Sequence, residues 1–228
     1  MSSTGTAPLS ESRQRLAAMI DHTLLKPEAT ARDIERLCAE AVQYGFAAVC
    51  VNPALLPVAV ANLRGSLVVP CTVAGFPLGA TTTTVKAFEA GQAAEAGARE
   101  VDMVLAIWAI KQRSYAEALA DMRAVVNAAG PGCGVKVILE TCLLTDDEKV
   151  TACRLALEAG VRFVKTSTGL STGGATPHDV ALMRAVVGTQ AGVKASGGIR
   201  TLADAEAIVK AGANRIGTSA GIAIVTSP

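Results

Sequence analysis

Short apolar or β-branched runs alternate along this chain with longer stretches in which apolar positions recur every three or four residues. The short runs predict buried strands at 19–23, 47–51, 69–74, 100–106, 135–140, 163–166, 192–196 and 215–218. The longer stretches predict amphipathic helices. In 31–44, for example, Ile34, Leu37, Cys38 and Ala41 follow the spacing of one helix face. A further helix over about 11–18 precedes the first strand. Punctuation agrees with the periodicity. Thr145-Asp-Asp-Glu148 fits a capping box, and Thr176-Pro177 sets a cap residue before a first-turn proline. Gly45, Gly97, Gly160 and Gly212 close Ala-rich helical patterns.

Eight strand–helix units with no linker and no charge block predict the α/β class and a single-domain (β/α)8 TIM barrel with an extra N-terminal helix. An open eight-stranded sheet is the structural alternative. The domain is expected to span 11–228, behind a flexible tail over 1–10.

Half of the 228 residues are hydrophobic but only 3% are aromatic, so Ala, Val, Leu and Ile must build the core. The formal charge is +1 with no basic block, which leaves no electrostatic footprint for nucleic acid or a membrane surface. Residues 66–85 are uncharged, but Pro70, Gly75, Pro77, Gly79 and the Thr81–Thr84 run exclude a membrane-spanning helix. The first ten residues lack the basic and apolar regions of a secretory signal. Six scattered cysteines without a C-x-x-C pair read as reduced, and a cytoplasmic address is expected.

Three lysines break the apolar strands. Lys136, Lys165 and Lys194 are evenly spaced, 29 residues apart, about one strand-plus-helix unit. Successive parallel strands would bring them to one depth of a barrel, pointing into its lumen, because the outer face meets only apolar helix surface. Crowded, desolvated ammonium groups lower an amine's pKa, and Lys165, flanked on both sides, is the expected nucleophile. Snorkelling at a strand end is the bland alternative for any one of them. Asp102, inside another apolar strand, is expected either to transfer protons or to form a structural ion pair.

Glycine-rich turns follow the last three strands at 166–174, 196–200 and 217–221. Such turns let backbone N–H groups approach an anion, and together they suggest a phosphorylated ligand. Neither nucleotide-binding glycine signature is present. His22 and His178 are the only histidines, with no grouped ligands for a catalytic metal, so no metal is expected. His178 reads as a surface residue. Cys50 ends a strand and reads as packing or as pocket lining. Glu140 is expected to share a strand face with Lys136 and pair with it.

Taken in order, Ile-Asp-His-Thr-Leu-Leu-Lys-Pro (20–27), Val-Cys-Val-Asn-Pro (49–53), Val-Ala-Gly-Phe-Pro-Leu-Gly (73–79), Glu-Val-Asp-Met-Val (100–104), Val-Lys-Val-Ile-Leu-Glu-Thr (135–141), Phe-Val-Lys-Thr-Ser-Thr-Gly (163–169), Val-Lys-Ala-Ser-Gly-Gly-Ile-Arg (193–200) and Arg-Ile-Gly-Thr-Ser (215–219) resemble the deoxyribose-phosphate aldolases, a class I aldolase family. The resemblance runs from about residue 20 to 225. It implies reversible cleavage of 2-deoxy-D-ribose 5-phosphate to D-glyceraldehyde 3-phosphate and acetaldehyde, without a cofactor. It implies Lys165 as the Schiff-base lysine, Lys194 as its pKa-lowering neighbour, Asp102 as acid/base and Lys136 as support for the proton relay. By the same matching Asp21, Thr23 and Cys50 line the pocket, while Thr168, Gly169, Gly197, Gly198, Gly217 and Ser219 fall on phosphate-contacting motifs. A homodimer is the family expectation. Two departures stand out: Ala220 replaces a second serine, and the chain ends Val-Thr-Ser-Pro without the terminal tyrosine of some members. Rival readings are a Schiff-base aldolase for another phosphorylated sugar, and a silent barrel that binds a phosphometabolite.

Overall fold

The computed structural model describes residues 9–227, so most of the expected tail lies outside the described residues. Of its last two positions, Leu9 packs against the core and Ser10 caps the first helix. Eight parallel strands close into one barrel in sequence order: β1 Ile20–Leu24, β2 Ala48–Val51, β3 Val69–Ala74, β4 Glu100–Val104, β5 Gly134–Ile138, β6 Phe163–Lys165, β7 Gly192–Ser196 and β8 Arg215–Thr218. β8 pairs back onto β1, with Asp21 opposite Gly217, which rules out the open sheet. The α1 helix, Glu11–Ala17, precedes the barrel. Behind the strands run α2 Ala31–Tyr44, α3 Leu56–Asn62, α4 Thr83–Glu95, α5 Ile107–Lys111, α6 Tyr115–Ala129, α7 Asp146–Ala159, α8 Pro177–Val187, α9 Leu202–Lys210 and α10 Gly221–Thr226. No helix among the described residues is long and apolar enough to cross a membrane.

The local signals work as their chemistry requires. Thr30 with Asp33, Thr145 with Glu148 and Thr201 with Asp204 form reciprocal capping boxes at the starts of α2, α7 and α9. Each N-cap contributes about 1 kcal/mol by satisfying otherwise orphaned N–H groups. Gly45 and Gly160 end α2 and α7 in the left-handed conformation. Gly97 and Gly212 fall one residue beyond the caps of α4 and α9, also at positive φ.

Strand alternation sorts the two barrel faces. Val49, Val101, Met103, Val137, Val164, Val193 and Ile216 turn outward into the buried layer beneath the helices. The lumen is divided. On β2 and β3 it is apolar, with Ala48, Cys50, Cys71 and Val73 forming their own cluster. The remaining strands supply charge.

Two buried ion pairs brace the helical layer. Lys86 of α4 is fully buried and donates to Asp121 of α6 at 2.7 Å and to the Val104 carbonyl at 3.0 Å. Lys149 of α7 joins Asp179 of α8 at 2.6 Å and Asp146 at 2.9 Å.

Candidate active site

Period-two alternation carries Asp102 and Lys136, which face one another across β4 and β5, into the lumen. Lys165 and Lys194 do the same across β6 and β7. All four are buried. Asp102 is the hub. Its Oδ1 accepts from Lys136 Nζ at 2.8 Å, and its Oδ2 accepts from Lys165 Nζ at 2.8 Å and Lys194 Nζ at 2.7 Å. The three amines therefore do meet in the lumen, but round a shared carboxylate rather than as bare cations, and only Lys165 and Lys194 are level: Lys136 lies opposite Phe163, two residues lower.

A second tier lies beneath. Asp21 Oδ2 accepts from Lys194 at 2.5 Å and lies 3.5 Å from Lys136. Glu100 Oε2 lies 2.6 Å from Lys136. Arg215 Nη1 reaches both Asp21 Oδ1, at 2.7 Å, and Glu100 Oε2, at 3.0 Å. Burial alone would drive Asp102 and Asp21 towards their neutral forms, yet the surrounding cations hold both well below the ordinary carboxylate range. Burial would likewise discharge Lys136 and Lys194. Asp102 and its fellow carboxylates instead hold both above the ordinary lysine range. Lys165 differs in its pairing: it touches one carboxylate where Lys194 touches two and Lys136 three.

The apolar wall carries Cys50 and Cys71, neighbours in register. Cys71 donates to Asp102 Oδ1 at 3.4 Å and lies 3.2 Å from Lys136 Nζ. Its thiol is pushed well above the usual value, first by burial. Cys50 is fully buried in the lumen, packed with Ala48, Cys71 and Val73. Thiol and carboxylate groups gather closely enough here to suggest a metal centre. The Lys136 ammonium, however, already sits against Cys71, Asp102 and Glu100 where a cation would lie.

Thr23 is half-buried and donates to the Asp21 carbonyl at 2.8 Å. Nearer the mouth, Gly169, Gly197 and Gly198 all have left-handed φ. A Cβ on Gly174 would lie 2.3 Å from the Gly197 carbonyl, so glycine alone lets the β6 and β7 turns close on each other. Gly217 sits in the lumen beside Lys194 and Ser196, while Ser219 is exposed at the start of α10. The buried hydroxyls of Ser167 and Ser196 have no hydrogen-bond partner. They follow Lys165 and Lys194 by two residues each.

Glu140 corrects one expectation. β5 ends at Ile138, and Glu140 takes a left-handed φ of 57°, which breaks the alternation. Its carboxylate turns away from Lys136 to accept from the Thr168 hydroxyl at 2.5 Å and the Thr168 N–H at 3.3 Å. His178 is exposed as expected, against Asp146, and His22 turns outward to Glu40 at 2.8 Å. Sequence reasoning missed Glu100 and Arg215. The signal for Glu100 was available, since it lies two residues before Asp102 on the same strand face.

A closed (β/α)8 barrel with lysines round an aspartate in its lumen defines a lysine-dependent lyase of the class I aldolase type. Residues 15–227 match the model of the DeoC/LacD family aldolases. The chain is 58% identical over 212 residues to the deoxyribose-phosphate aldolase of Clostridium perfringens strain 13, covering 93% of this chain and 95% of that protein. It is 59% identical, with the same coverage, to that of Lysinibacillus sphaericus. A solved deoxyribose phosphate aldolase from Aeropyrum pernix superposes with a TM-score of 0.87 at 37% identity, over 94% of this chain and 91% of its own, and is described as tetrameric. The chain belongs to the DeoC/LacD aldolase family.

Proposed function

We propose that this enzyme cleaves 2-deoxy-D-ribose 5-phosphate reversibly to D-glyceraldehyde 3-phosphate and acetaldehyde. The observation that carries the reading is Lys165 Nζ at 2.8 Å from Asp102 in a buried lumen, with Lys194 on the same carboxylate oxygen. Deprotonating Lys165 leaves one ion pair unmade, whereas deprotonating Lys194 or Lys136 would leave two or three. Neutral Lys165 attacks the C1 aldehyde of the open-chain sugar, and loss of water from the carbinolamine gives an iminium. A base removes the C3 hydroxyl proton, the C2–C3 bond breaks, and its electron pair flows into the iminium to leave an enamine. The phosphorylated half departs as an aldehyde. Protonation of the enamine at C2 and hydrolysis release acetaldehyde and the free amine. The iminium is itself the electron sink, so the scheme needs no metal or organic cofactor.

Asp102 and Lys194 move the protons in this scheme, and Lys136 anchors Asp102 from its other oxygen. Asp21, Thr23 and Cys50 line the pocket. Thr168, Gly169, Gly197, Gly198, Gly217 and Ser219 are assigned to the phosphate end, because glycine turns without side chains let a phosphate approach the backbone. A homodimer in the cytoplasm belongs to the same reading. Borohydride trapping with acetaldehyde and peptide mapping tests it: one ethyl adduct on Lys165, suppressed by the sugar phosphate, is expected. Lys165→Ala should abolish both adduct and turnover while keeping the fold. Wild-type-like turnover in that variant would sink the assignment.

A further inference from the structure

We propose that Arg215 is a positioning residue for Lys165, whose fixed positive charge makes a neutral amine the balanced state of the lumen cluster. The inference rests on the imine-forming reading above. The cations of the cluster are Lys136 on β5, Lys165 on β6, Lys194 on β7 and Arg215 on β8. Facing them are three carboxylates, Asp21 on β1 with Glu100 and Asp102 on β4. The thiols of Cys50 and Cys71 supply the β2 and β3 wall. With every amine protonated the cluster carries one excess positive charge in a buried site. Loss of one proton brings it to balance. Without Arg215, three ammoniums already match three carboxylates, and a neutral Lys165 would leave a net buried negative charge.

Arg215 is built in for this place. Its Nη1 bridges Asp21 and Glu100, and Nη2 adds a second bond to Glu100 at 3.2 Å. Arg215 thereby holds Asp21 by Oδ1 and leaves Oδ2 to Lys194, which in turn shares the Asp102 oxygen with Lys165. The guanidinium stacks 5.0 Å from the centre of the Phe163 ring, two residues before Lys165. Gly192 makes that possible, because a Cβ there would lie 2.2 Å from the ring. Arginine suits the role because its guanidinium keeps its proton across any working pH.

The rate of borohydride-trapped imine formation with acetaldehyde, measured against pH, reads the balance directly. Arg215→Gln should move the rising limb of the profile to higher pH by about one unit, the scale of a nearby charge. Arg215→Lys should keep the limb in place at lower amplitude, since lysine retains the charge but lacks the fork. The decisive variant is Glu100→Gln/Arg215→Gln. It leaves three ammoniums facing two carboxylates, restores the single excess charge, and should return the limb towards wild type. A cavity of about 690 Å³ at the N-terminal end of the barrel borders Arg215, Glu100 and Phe163. Guanidinium ion entering there should restore the profile of Arg215→Ala. A uniform loss of rate at every pH in Arg215→Gln, or a double variant shifted further than the single one, overturns the inference. A wild-type enzyme that forms no adduct on Lys165 overturns the imine reading and this inference with it.

Discussion

Replacing Asp102 by asparagine removes the charge that three amines share while keeping the side-chain shape. Lys136, Lys165 and Lys194 then converge within hydrogen-bonding distance of a neutral amide, in a site with no exposure. Removing one partner of a buried pair costs about 3–5 kcal/mol, because the other charge stays desolvated. For a chain of this size that lowers Tm by roughly 6–20 °C, at about 2–4 °C per kcal/mol. The pH dependence has a definite sign. Asp102 is held below its unfolded value, so its contribution is fully present above about pH 4 and is lost as pH falls through the folded value. The gap between wild type and Asp102→Asn should therefore narrow below pH 4, by about 1.4 kcal/mol per pH unit. Urea titrations followed by far-UV circular dichroism, from pH 3 to pH 7, measure it. Turnover should fall by about 10²–10⁴-fold, the usual cost of a lost general acid or base. A gap below about 1 kcal/mol at pH 7, or one that widens on acidification, would refute the hub reading.

Two other sites yield predictions of a different kind. Lys86→Met strips the buried Asp121 of its ammonium and leaves the Thr83 hydroxyl at 2.9 Å. It should cost about 3–5 kcal/mol in a urea melt, and Lys86→Met/Asp121→Leu should recover most of the loss; an equal loss in both would point to lost packing instead. Gly192→Ala drives a methyl group into the Phe163 ring and should destabilise by about 1–3 kcal/mol. Unchanged stability would show that Phe163 is free to move.

Much of this molecule was legible along the chain. Every expected strand is present, β3, β7 and β8 with the same ends, because burial on both faces writes a near-continuous apolar run. The ends of β4 and β5 were overrun by two residues each, since Leu105 and Leu139 stay buried and still donate to Ile138 and Lys165 of the neighbouring strands just beyond the last paired residue. Lys136, Lys165, Lys194 and Asp102 stood out because a charge in such a run has only the lumen to face. Glu140 was misassigned because alternation holds only while the backbone stays extended, and its left-handed φ turned it to Thr168. Lys86 gave no warning, because on a helix its identity matches a solvated position and only packing against α6 and β4 buries it.

The sequence by itself determined the elements, their order and the four charged residues set inside apolar strands, since those follow from local periodicity and the cost of burying charge. Which of those residues meet was decided by closure. Asp21 touches Arg215 and Lys194 because β8 pairs with β1, a contact between the two ends of the chain. Lys165 has fewer carboxylate partners than its neighbours because of depth: it lies opposite Ile138, above the tier of Asp21 and Glu100 that Lys136, Lys194 and Arg215 reach. Local pattern carries no information about such distances. Only the folded barrel places three carboxylates among four cations.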